Sequence, residues 1–324
     1  NYLNKEPNNM FLTRIIMNNK SLNVNYSLPL ILILLSGLVY VLNNSLLVSA
    51  SSTSPKSLEN IMTNTCNVPG DYNTIQAAVN DTSCIDVIVS NGTFYENISI
   101  TRTIDIQGQG SDATTVNGAA NGSVFHIDGS SETISVTLEG LSITNGSASS
   151  GGGIYNFEAT LNLSNTSVVG NWAWGSGGGI YSDLGELNLF NSIVNDNETD
   201  GSGGGVLMLS GMGSFLNSSI LNNAAGNYAG GLFINWDSTV YLEKVSVTGN
   251  TTYDDGGGIF NYGTLIINDS SVSQNESTNY SGGGIHNEGT AYINNTTISN
   301  NRAIVAAGID NWFGILRLNS STLA

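Results

Sequence analysis

Residues 151–176 read GGGIYNFEATLNLSNTSVVGNWAWGS, and residues 177–202 read GGGIYSDLGELNLFNSIVNDNETDGS. The second stretch repeats the first in its length, in its opening glycines and in the places of its apolar residues. Further copies open at Gly203, Ala229, Gly256, Gly282 and Ala306, so the steps between starts are 26, 26, 26, 27, 26 and 24 residues. Self-similarity at such a period marks a solenoid, in which one supersecondary unit stacks on the next.

Each copy holds three short apolar pieces. The first is the residue after the glycines: Ile154, Ile180, Val206, Leu232, Ile259, Ile285 and Ile309. The second is an alternating pair, running from Leu161/Leu163 and Leu187/Leu189 through Gly213/Phe215, Val240/Leu242, Leu265/Ile267 and Ala291/Ile293 to Leu316/Leu318. The third is Val168, Val194, Ile220, Val247, Val272, Ile298 and Leu323. Alternation of apolar and polar residues is the strand signal, and no copy carries helical i, i+3, i+4 spacing. Three strands and three turns in about 26 residues make one triangular coil of an all-β, parallel β-helix. A coil cannot bury its own apolar residues; its neighbours, roughly 4.8 Å away, must do so.

An asparagine follows the third strand in every complete copy: Asn171, Asn197, Asn223, Asn250, Asn275 and Asn301. Their spacing matches the strands, which predicts an internal asparagine ladder with amides bonded from coil to coil. The glycines suit tight turns and close approach between coils. A phosphate-binding reading of them fails because no helix follows.

The ends differ from the repeats. Residues 28–42 are nearly all apolar, basic residues precede them, and Val48-Ser49-Ala50 offers a small-residue cleavage site. Residues 1–50 therefore read as a secretory signal, with an uncleaved anchor as the alternative, and residues 51–65 as a polar linker. Cys66 and Cys84 are the only cysteines; in an exported chain such a pair predicts a disulfide. Between them, Thr74 can cap a short helix whose Ile75, Ala78 and Val79 share a face, a lid for the first coil. Residues 66–150 are assigned to this cap and the first coils, and residues 151–324 to the glycine-rich repeats. The chain opens on Asn1 and stops at Ala324 inside a repeat, so it reads as a truncated part of a longer sequence.

The net charge is −17, yet only 10% of residues are charged, which leaves a neutral polar surface rather than a salt-adapted one. Without a basic patch, nucleic acid is not an expected partner. Sequons at Asn91, Asn121, Asn145, Asn217, Asn250 and Asn319 fit exported surface turns.

The run GDYNTIQAAV, DVIVSNGTFYENISI and IDIQGQGSDATTVNG within residues 70–118 resembles the opening coils of the pectin-lyase-like, right-handed β-helix superfamily. The later copies are similar to glycine-rich repeats of secreted and surface β-helix proteins. They match the chlamydial polymorphic outer-membrane repeats only partially, because Val168, Val194, Ile220, Val247, Val272 and Ile298 stand where those carry phenylalanine. The resemblance implies a right-handed parallel β-helix with a short N-terminal capping helix. It implies an activity only where enzyme motifs accompany it. The motifs of pectin methylesterases and polygalacturonases are missing, and Asp254-Asp255 stands without the partners a polygalacturonase would show. Lys244 is the one middle-coil base a lyase could use, and no acid cluster surrounds it in sequence. His126 and His286 lie far apart, so the chain reads as poor in convergent titratable groups.

One outward row is unusual: Tyr155, Tyr181, Leu207, Phe233, Phe260, His286 and Asp310 follow the first inward residue of successive copies. Stacked, they would form either cross-coil packing or a flat apolar strip for a glycan or partner protein. Trp172, Trp174, Tyr228, Tyr253 and Tyr280 lie in the adjoining loop row. The candidate binding residues are Tyr155, Tyr181, Phe233, Phe260, Trp174 and Tyr253. Acids gather in the same loops, at Asp196, Glu198, Asp200, Asp254, Asp255 and Glu276; they read as solvated, with calcium the one open cofactor candidate. The sequence thus points to an exported, non-catalytic surface or secreted protein for adhesion or glycan recognition. Its membrane contact would come only through the N-terminal anchor or a missing C-terminal part. A polysaccharide-active enzyme of the same superfamily and a purely structural spacer are the alternatives.

Overall fold

The computed structural model describes residues 64–324; the signal or anchor, and all of the linker but Asn64 and Thr65, lie outside them. The inward rows stack as the repeat register predicts. Ile154 pairs with Ile180, Ile180 with Val206, Val206 with Leu232, Leu232 with Ile259, and Ile259 with Ile285. Val168, Val194, Ile220, Val247, Val272 and Ile298 form a second stack. All of these residues are buried. Burying each is worth roughly 1.5–3 kcal/mol, offset by the ordering of its backbone. Every ladder between strands is parallel, and the strands form sheets of 18, 10 and 6 members. The chain is a right-handed parallel β-helix.

The strands divide among the faces differently from the expected one strand per face. The first and second apolar pieces share the 18-stranded sheet, and in two coils they fuse into single strands, Val206–Leu216 and Leu232–Glu243. The third face is closed by a fourth, very short strand after the ladder asparagine, such as Thr199 with Ala225 and Ala225 with Thr252. Its inward residues are Ala173, Thr199, Ala225, Thr252 and Ser277, all buried. They are too small to register as an apolar piece.

The asparagine ladder is continuous. Asn171 Nδ2 donates to Asn197 Oδ1 at 3.0 Å, and the same bond links Asn197 to Asn223, Asn223 to Asn250, Asn250 to Asn275 and Asn275 to Asn301. Each of these oxygens also accepts the preceding asparagine's backbone N–H. Each Nδ2 donates to a main-chain carbonyl as well, for example Asn275 to Val247 at 2.9 Å. Both ends of every amide are therefore satisfied, and those of Asn171, Asn197, Asn223, Asn250 and Asn275 are buried. Asn250 is fully buried here, which corrects its reading as a surface glycosylation turn. The other asparagine-rich row has a different cause: Asn165, Asn191, Asn217, Asp269 and Asn295 adopt φ near +50° at one outer corner, a conformation that Asn and Asp tolerate better than most residues.

A second inner ladder runs through Asn261, Asn287 and Asn311, with Asn261 Nδ2 donating to Asn287 Oδ1 at 2.7 Å and Asn287 Nδ2 donating to Asn311 Oδ1 at 2.6 Å. It stops where Asn261 meets Ile234, and the Asn261 Oδ1 has no partner among the described residues. Asn156, paired with Ile127, is left in the same state.

At the N-terminal end, Cys66 and Cys84 are joined by a disulfide with Cα atoms 5.6 Å apart. The helix α1 (Ile75–Asn80) starts at Thr74, whose Oγ1 accepts the Ala77 N–H, and it buries Ile75, Ala78 and Val79. The Glu96 carboxylate accepts the N–H groups of Ile75 and Gln76, both at 2.9 Å, and so satisfies two of the free donors at the helix start. The helix packs on strands Thr65–Val68, Asp86–Val89 and Ile98–Ile100 and so covers the first coils.

Candidate functional site

The outward row of the long sheet begins one coil earlier than the repeats do. His126 stacks on Tyr155 with centroids 4.8 Å apart, and Tyr155 on Tyr181 at 5.2 Å, both pairs within 4° of parallel. Phe233 stacks on Phe260 at 5.5 Å, and Phe260 on His286 at 4.6 Å. These spacings are those of neighbouring strands, which is why one residue per coil makes a column.

The column is not a uniform exposed strip. Phe260 is 1% exposed and Phe233 8%. Tyr228, from the loop before the glycines, and Tyr262, two residues beyond Phe260, both lie against these phenylalanines, and Leu207 and Ala229 complete a separate apolar cluster. Phe233 and Phe260 therefore hold the outside of the sheet together and offer no open ring face, which corrects their candidacy as contact residues. Tyr155 and Tyr181 are half-buried; burial, helped by Asp183, pushes the Tyr181 phenol up to about 12. Trp174 and Tyr253 are exposed, but they occupy equivalent loop positions three coils apart, with Asp200 and Gly226 between them, and do not form one platform.

The polar end of the column holds what the sequence reading missed. Phe260 is followed by His286 and then Asp310, and Asp255 by Ser281, in consecutive coils. The His286 ring is buried, with Nδ1 3.2 Å from Asp310 Oδ2 and 3.9 Å from Asp255 Oδ1, and Nε2 3.3 Å from Glu288 Oε1. Ser281 ties the carboxylates together: its N–H donates to Asp255 Oδ1 at 2.8 Å, its hydroxyl lies 2.9 Å from the same oxygen, and that hydroxyl also bonds Asp310 Oδ2. The titratable groups do converge here, and Asp255 is no freely solvated loop acid. Nearby, burial and then Asp255 raise the Asp254 carboxyl. The phenols of Tyr228 and Tyr262 are raised first by burial and then by carboxylates that include Asp255 and Glu288.

This group lines a cavity of about 430 Å³, which Tyr280 and Trp312 also border. Those two residues are 54% and 57% exposed. Glu288 and Trp312 come from the corner of the long sheet that carries Tyr262 one and two coils earlier. The signal for this site was in the register: Asp255 and Ser281 are 26 residues apart, as are Phe260 and His286. Lys244 is not among the lining residues; it sits in the exposed left-handed corner row, with φ +54°. Among the described residues, no group of three or more His, Cys, Asp and Glu is arranged to hold a metal ion.

No protein-family model matches the chain, and no curated protein matches it. Among solved structures it is similar to a pectin methylesterase in complex with a hexasaccharide, at 13% identity over 63% of this chain and 75% of that one, with a TM-score of 0.40. It is also similar to the Dettilon tailspike protein, at 15% identity over 88% and 67% of the two chains and a TM-score of 0.47. A third is the catalytic domain of an α-1,3-glucanase in complex with nigerose, at 10% identity over 85% and 68% and a TM-score of 0.28. Likeness at this level transfers no residue roles. The fold is a parallel β-helix by its own ladders, and the chemistry must be argued from this chain's own side chains.

Proposed function

We propose that this chain is an exported, non-catalytic β-helix that recognises a glycan, in adhesion or surface recognition, and that the cleft at His286 is where it does so. The observation that carries the reading is the pairing of accessible aromatic faces, Tyr280 and Trp312, with the carboxylates of Asp255, Glu288 and Asp310 around one cavity. Sugar rings present C–H faces that stack on aromatics and hydroxyls that donate to carboxylates. A concave site with a few convergent polar groups suits a small ring better than a flat protein partner. Export is supported by the apolar stretch at residues 28–42 and by the Cys66–Cys84 disulfide. The test is titration of an oligosaccharide panel against the wild type and the double variant Tyr280→Ala/Trp312→Ala. Binding should fall at least tenfold while the melting curve is unchanged. Binding that survives this variant removes the cleft from the reading.

Hydrolysis is the second reading, favoured by one observation: Asp255 and Asp310 share the Ser281 hydroxyl beside a buried histidine. Paired carboxylates are the machinery of glycoside hydrolysis. Release of reducing ends that disappears in Asp310→Asn would replace recognition by catalysis.

A further inference from the structure

Resting on the glycan reading of the cleft, we propose that it selects a positively charged sugar, one that carries a free amine. The argument is a count of hydrogen-bond donors. Three carboxylates, from Asp255, Glu288 and Asp310, border the cavity, and their side chains are only 21%, 28% and 19% exposed. Among the described residues, no Lys or Arg lines it. The Ser281 hydroxyl has a single proton, yet Asp255 Oδ1, Asp310 Oδ2 and His286 Nδ1 all lie within hydrogen-bonding reach of it. A neutral imidazole has one ring N–H, yet His286 has a carboxylate at each nitrogen. The Ser281 backbone N–H adds one more donor, to Asp255. With the imidazole neutral the acceptors exceed the donors, and the remaining carboxylate oxygens open onto the cavity, where a ligand that brings its own donors can meet them.

An ammonium group brings three N–H donors and a positive charge in a volume smaller than one sugar ring. An acetamido group brings one N–H and no charge, and a uronate brings a like charge. The aromatic side chains add to the preference, because a cation over the face of a Trp or Tyr ring is attracted by its quadrupole. Tyr280 and Trp312 border the same cavity as the carboxylates, and in the proposed complex they also take the apolar face of the ring.

The experiment compares a glucosamine tetrasaccharide, its fully N-acetylated counterpart and a galacturonate tetrasaccharide by calorimetry at about pH 6, where an amine is protonated. The glucosamine oligomer should bind at least tenfold more tightly than the N-acetylated one, and galacturonate should bind least. Asp310→Asn and Glu288→Gln should remove that preference, so that the glucosamine oligomer binds no more tightly than the N-acetylated one. Raising the salt should weaken the amine-bearing ligand selectively. Equal binding of the glucosamine and N-acetylated oligomers overturns the charge selection and leaves the glycan cleft standing. Failure of all three to bind removes the cleft itself. Spermine serves as a cation without a ring: if it binds as tightly as the glucosamine oligomer, and equally well to Trp312→Ala, the attraction is that of the whole acidic chain and the proposal is overturned.

Discussion

Asn275 and Gly258 are packed against one another: a Cβ on Gly258 would stand 2.9 Å from the Asn275 amide carbon and nitrogen, as well as 2.6 Å from the Gly284 carbonyl oxygen. The relationship recurs between Gly179 and Asn197, and between Gly205 and Asn223. The third glycine of each triplet and the ladder asparagine are two halves of one device. The glycine removes its side chain so that a buried amide can lie flat against the neighbouring turn.

Gly258→Ala should therefore cost about 1–3 kcal/mol, the usual penalty of overpacking a filled interior. Urea unfolding would measure it. In an Asn275→Ala background the same change should cost less, since part of the clash has gone. Equal costs in both backgrounds would sink the pairing.

Lys244 adopts φ +54° in an exposed corner where Asn217 and Asp269 stand in the adjacent coils. Left-handed backbone costs a long side chain roughly 1 kcal/mol, and asparagine less. Lys244→Asn should raise the melting temperature slightly. A fall would mean that the lysine makes a contact worth more than its backbone strain.

The Cys66–Cys84 bond closes a segment of sequence separation 18 that contains α1. Replacing both cysteines by serine should cost about 3 kcal/mol by the loop-entropy estimate. Hydrogen exchange should show the loss at residues 64–100 first, with the repeats beyond residue 151 still protected. Uniform loss of protection along the chain would contradict the view of the cap as a local lid.

Asp81 accepts a hydrogen bond from the Tyr72 hydroxyl, and this bond and those from Ser83 hold its carboxyl down at about 2. A group lowered on folding stabilises the folded state above its unfolded pKa, about 3.9, and loses that contribution as the pH falls through its folded value. The cap should loosen between about pH 4 and pH 2. Asp81→Asn should remove this acid transition, which near-ultraviolet absorbance of Tyr72 can follow.

The coil period, the inward rows and the ladder from Asn171 to Asn301 were legible from spacing, because each coil repeats the same requirement about 26 residues later, and the disulfide from the lone cysteine pair of a chain read as exported. The fusion of two apolar pieces into one long sheet was not legible, nor was the short fourth strand of Ala173, Thr199 and Ala225; small inward residues carry no periodic signal. The aromatic column was written in the sequence, but its accessibility was not. Whether Phe260 meets water depends on Tyr228 and Tyr262, which reach it from two different corners of the coil. The His286 cleft depended most on the tertiary structure. Asp255, Ser281, His286, Glu288 and Asp310 come from three successive coils, and only stacking at strand spacing brings carboxylates that far apart in the chain onto one imidazole.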